Sequence, residues 1–79
     1  MESSQCRAGR ALLSWSQSDL AQEADVSEKA IWDFESDVRT PRSLTIQKIQ
    51  TALEKAGVEF IPENGGGPGV RLAKRRGKR

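Results

Sequence analysis

The side chains able to do chemistry in this chain are carboxylates, amines, guanidiniums and hydroxyls, because it has no histidine and a single cysteine, Cys6. A zinc site takes four ligands, mostly Cys and His, so the set is too small. Nucleophilic catalysis needs a Ser–His–Asp or Cys–His arrangement, and without an imidazole neither exists. The eleven carboxylates fall on the surfaces of expected helices rather than in pairs beside a glycine-rich pocket. "ENGGGPG", residues 63–69, is glycine-rich, but no "GK[ST]" follows it, as a phosphate cradle requires; it reads as a hairpin tip. These features argue against an enzyme, and no cofactor is expected. Charge is what remains. Residues 71–79, "RLAKRRGKR", hold six basic residues and no acidic one, while residues 1–70 hold seven basic against eleven acidic, a net of −4. The overall +2 therefore joins a mildly acidic body to a strongly basic tail, and whole-chain charge is a poor guide to partners.

These groups need elements to hold them. Seventy-nine residues make one domain at most, one that gains from a partner subunit. No apolar run of about 18 residues spans a membrane. The opening "MESSQCRAGR" lacks a signal peptide's apolar core, and a lone cysteine suits a reducing cytosol. "SSQCRAGRALLS" reads as a helix with Cys6, Gly9, Arg10 and Leu13 on one face and Ser4 as N-cap. Gly9 inside it marks close packing, Cys6 is expected to be buried and inert, and Trp15 in the following turn points inward. Ser16 with Asp19 makes a capping box for a second helix, whose inner positions are Leu20, Ala21 and Ala24. Asp25 tolerates the left-handed turn that follows. Ser27 caps a third helix, with Ala30, Ile31 and Phe34 inward. Pro41 sits at or near the start of a fourth, "SLTIQKIQTALEKAG", striped by Ile46, Ile49, Leu53 and Ala56 and ended by Gly57. After Gly57 the period changes to two. "VEFI" and "VRL" flank turn material and read as a small β-hairpin, with Val58 and Phe60 on one face and Glu59 and Ile61 on the other. The expected organisation is 1–57 helical, 58–72 hairpin and 73–79 a disordered basic tail.

The runs "RALLSWSQSDLAQEADVSEKAIWDFES", "TPR" and "IQTALEKAGVEFIPENGGGPGVRL" together resemble the λ-repressor-like helix-turn-helix family, also called the Xre or Cro/cI family. The resemblance covers residues 5–72, and the last run is similar to a subgroup of small bacterial regulators that append a β-hairpin. It implies a mainly α fold of four to five helices, with a helix-turn-helix and a C-terminal hairpin. It also implies a cytoplasmic, nucleoid-associated regulator of transcription that binds double-stranded DNA as a homodimer. In that family the third helix enters the major groove. By position Ser27, Glu28, Lys29, Trp32 and Asp33 would then meet bases, and Gln17, Ser16, Arg39, Arg42 and Arg7 would meet the backbone. Arg10 and Glu35 match a structural ion pair of the family. Lys74, Arg75, Arg76, Lys78 and Arg79 would add salt-sensitive, sequence-independent attraction. Val58, Phe60, Ile61, Val70 and Leu72 are the candidates for dimerisation, through an exposed strand edge.

Two departures sharpen the reading. Ser14 and Asp25 stand at turn positions that relatives often fill with Gly. Residues 28–37 carry a net charge of −3, where many relatives present Arg, Gln or Ser. A carboxylate there weakens affinity near phosphates but accepts a hydrogen bond from a cytosine amino group. The same acidic face, with an outward Trp32, also suits a second class of function: an interaction module, antitoxin-like or anti-activator, for a basic protein partner.

Overall fold

Each helix begins and ends where local hydrogen bonding dictates. The computed structural model describes residues 1–73, so all of the basic tail but Ala73 lies outside the described residues. Helix α1 spans Ser3–Leu13 and is capped by Glu2, not by Ser4 as the sequence suggests. The Glu2 backbone N–H donates to Gln5 Oε1 at 2.8 Å, so a glutamine three residues on satisfies the free donor and the helix starts two residues earlier. Ser14 closes α1 in the left-handed region at φ 58°. Helix α2, Gln17–Ala24, opens with the expected box: Ser16 Oγ accepts from the Asp19 N–H at 3.0 Å, and Asp19 Oδ2 accepts from the Ser16 N–H at 2.9 Å. Asp25 ends it at φ 59°.

Helix α3, Glu28–Glu35, follows a turn of Asp25, Val26 and Ser27, and Ser27 Oγ caps it by accepting from the Ala30 N–H at 3.1 Å. Helix α4 spans Ser43–Lys55 with Arg42 as N-cap. Pro41 thus stands one residue before the cap rather than inside the first turn, where its fixed φ still suits the approach. Ala56 closes α4 and Gly57 follows at φ 111°, a left-handed value that leads into the hairpin. Strands β1, Val58–Ile61, and β2, Gly69–Leu72, pair antiparallel with Val58 opposite Leu72 and Phe60 opposite Val70. The four helices and hairpin are the architecture expected from the sequence.

The core is shared by the four helices and β1, with Val70 and Leu72 of β2 packed half-buried against it. Cys6 and Leu13 of α1, Leu20 of α2, Ile31 and Phe34 of α3, Ile49 and Leu53 of α4 and Val58 of β1 are buried together. Along α4 the buried stripe is Ile49, Ala52 and Leu53, while Ile46 and Ala56 sit at its half-buried margins. Gly9 lets α1 approach closely: a Cβ there would lie 3.4 Å from Leu53 Cδ2 and 3.6 Å from Val58 Cγ1. Gln5, buried on α1, donates from Nε2 to the Gly69 carbonyl at 3.0 Å and so ties the start of β2 to the first helix. Among the described residues no helix is long and apolar enough to cross a membrane.

Candidate nucleic-acid interface

Two short helices joined by a three-residue turn set one helix, α3, across the other with its outer face open. Ser27, Glu28, Lys29 and Trp32 are exposed on that face, and half of the Trp32 surface is accessible (50%). Ile31 and Phe34 point into the core and fix the rotation of the helix. Asp33 departs from expectation. It is buried, with 5% of its surface accessible, and its carboxylate holds the Lys29 ammonium at 2.9 Å. Its backbone carbonyl also accepts the Val38 and Arg39 N–H groups, at 3.1 and 3.4 Å. The 37–42 segment thereby folds back over the helix flank and covers a position that helical period alone leaves outside. Asp33 is corrected from a base-facing residue to the floor of a cleft.

That cleft runs between α3 and the start of α4. Ser27, Lys29 and Asp33 line one side; Arg39, Thr40, Arg42 and Thr45 line the other. Two guanidiniums and several hydroxyls therefore face one groove, a donor-rich set suited to phosphate oxygens, while the Lys29 ammonium is engaged by the Asp33 carboxylate on the cleft floor. The N-cap Arg42 makes no side-chain hydrogen bond to α4, so the first N–H groups of that helix have no side-chain cap, and with the helix dipole they favour an anion. Thr40 and Thr45 carry no signal in the sequence that marks them for this groove. The Lys29–Asp33 pair does carry one, since four residues on a helix is a side-chain contact distance.

The far end of α3 is anchored by Glu35. Its carboxylate accepts from Arg10 Nε and Nη2, each at 2.8 Å, from Gln17 Nε2 at 3.1 Å and from Cys6 Sγ at 3.1 Å. Arg10 Nη1 reaches on to the Trp15 carbonyl at 2.9 Å, and Arg7 Nη1 donates to the Glu35 carbonyl. Burial pushes the Glu35 carboxyl up, but hydrogen bonds from Arg10, Cys6 and Gln17 outweigh it and hold the group below the usual carboxylate range. The bond to Glu35, set against burial, raises the Arg10 pKa. Burial and the neighbouring carboxylate push the Cys6 thiol far up, so it stands as a protonated donor. The structure thus brings together Arg10, Glu35, Gln17 and Arg7 as a brace between α1, the start of α2 and the end of α3. Ser16 Oγ is occupied as a cap, although the residue is exposed.

The dimerisation candidates divide. Val58 is 3% exposed and belongs to the monomer core, and Phe60, Val70 and Leu72 pack half-buried against that core. Val58 is corrected accordingly: alternation puts it on the inner face, and the helices already cover that face. Ile61 lies on the other face, opposite Gly69, and stays partly exposed; Glu59 and Arg71 beside it form an exposed cross-strand pair at 2.9 Å. Lys74, Arg75, Arg76, Lys78 and Arg79 lie outside the described residues. Among the described residues no group of His, Cys, Asp and Glu could hold a metal.

Comparison with known proteins gives one family model, described as Helix-turn-helix, that matches residues 7–60. No curated protein matches the chain.

Proposed function

Because the chain belongs to the Xre, or λ-repressor-like, helix-turn-helix family of DNA-binding regulators, we propose that it is a sequence-specific transcriptional regulator that binds an inverted-repeat operator as a homodimer. One observation carries the reading: the outer face of α3 is open at its N-terminal end and flanked by the Arg39 and Arg42 groove. In this reading Ser27, Glu28, Lys29 and Trp32 meet base edges. Arg39, Arg42 and the start of α4 meet phosphates, and Arg7 and Gln17 brace the reading helix from behind. Two such helices in a dimer would read half-sites about 34 Å apart, or a multiple of that. The basic tail would add attraction that salt removes.

The test is a binding-site selection from random duplex DNA, at two salt concentrations, with the full chain and with residues 73–79 deleted. A palindrome recovered by both chains, more weakly by the shortened one, is the expected result. Binding without a motif, lost on deletion of the tail, would sink the proposal. It would favour the interaction-module reading, for which Trp32 and the exposed Val38 supply the apolar contact. Glu28→Lys separates the two, since it should change base preference in the first case and abolish partner binding in the second.

A further inference from the structure

Building on that reading of α3, we propose that Lys29 and Asp33 act as one reading unit, in which Lys29 selects a guanine and Asp33 is the positioning residue that aims it. Lys29 Nζ sits 2.9 Å from Asp33 Oδ2 and 3.3 Å from Oδ1. The two side chains differ sharply in exposure, 76% for Lys29 against 8% for Asp33. The carboxylate lies too deep to reach a base edge, while the ammonium stands above it at the mouth of the cleft.

An ammonium has three donors and no acceptor. With two turned toward the Asp33 oxygens, one remains for a group outside the protein. In the major groove guanine alone offers two adjacent acceptors, N7 and O6; adenine sets an amino donor beside its N7, thymine sets a methyl beside its O4, and cytosine offers a donor. The remaining N–H therefore favours guanine. A free lysine is a flexible point charge that meets phosphates as readily as bases. Asp33 removes that freedom and cancels the charge, so the pair contributes selection without adding to sequence-independent attraction. Arg39 and Arg42, across the cleft, remain the groups for phosphate.

The experiment is binding-site selection with the full chain as wild type, D33N, K29M and K29R, together with affinity for random-sequence duplex across a salt series. The wild type is expected to recover a guanine at one position of each half-site. D33N should keep the other positions but lose about tenfold in preference for that guanine over adenine. Its affinity for random duplex should rise, and its salt dependence should steepen by about one unit of slope, because the lysine is freed for phosphate. K29M should lose the guanine and K29R should keep it. The inference is overturned if D33N or K29M leaves the guanine preference unchanged. It is equally overturned if D33N weakens specific and random-sequence binding in parallel, the mark of a merely structural residue. A wild type that selects no motif would overturn the DNA-reading premise itself, which separates that failure from a motif indifferent to Lys29 and Asp33.

Discussion

An ionised carboxylate offers about four lone-pair sites, and Glu35 has four donors on it: two from Arg10 and one each from Gln17 and Cys6. With its hydrogen bonds met inside the protein, the group depends on its charge partner. Removing Arg10 leaves a buried, uncompensated carboxylate, and R10A is expected to lose about 3–5 kcal/mol in urea unfolding. The pH dependence follows from the lowered folded pKa. The unfolded carboxyl titrates near about 4.3. The stabilisation from Glu35 is therefore complete above that value and is lost as pH falls through the lower, folded one. A urea series from pH 7 to pH 3 should show the wild-type advantage over E35Q constant down to about pH 4.5 and shrinking below it. An advantage that grows on acidification would refute the assignment.

Three turns place non-glycine residues in left-handed backbone: Ser14, Asp25 and Asp37, each at φ 58–59°. Asp tolerates this conformation better than Ser because its short side chain bonds locally. S14G is expected to stabilise the chain by about 0.5–1 kcal/mol, read as a higher melting temperature. These turns show how far local sequence carries. The Ser16 and Ser27 caps, the Asp25 turn and the Gly57 exit were all legible because each depends on residues within one turn of the chain. The start of α1 was less so, since Ser4 is the better N-cap by residue type and only the Gln5 side chain, bonded to the Glu2 N–H, decides for Glu2. Asp33 was misplaced for a different reason. Helical spacing puts it outside, and only the path of residues 37–42, closed by hydrogen bonds to the Asp33 carbonyl, covers it. Nothing in the spacing of residues along α3 encodes that path, and the same holds for Thr40 and Thr45 in the cleft.

For the molecule as a whole, the proposed reading assigns selection to the acidic body and affinity to the basic tail, and the burial of Val58 bears on which hairpin surface would meet a partner. With Val58 buried, the expected dimer contact moves to the outer face around Ile61. Sedimentation of wild type against I61E should then show a dimer dissociating to a folded monomer; an unchanged dimer would put the contact elsewhere. The core also crosses the boundary between helices and hairpin, because Val58 packs beside Gly9 and Gln5 is bonded to Gly69. A chain ending at residue 57 should therefore melt without a cooperative transition, which circular dichroism would show; a sharp transition would make the helices self-sufficient. That arrangement bears on synthesis. The buried stripe of α1 is made well before β1 and β2, which complete its cover, so the helix leaves the ribosome with part of its apolar side unshielded. Closure waits for residue 69, whose carbonyl accepts from Gln5. A ribosome stalled earlier would release a fragment whose exposed first helix invites proteolysis.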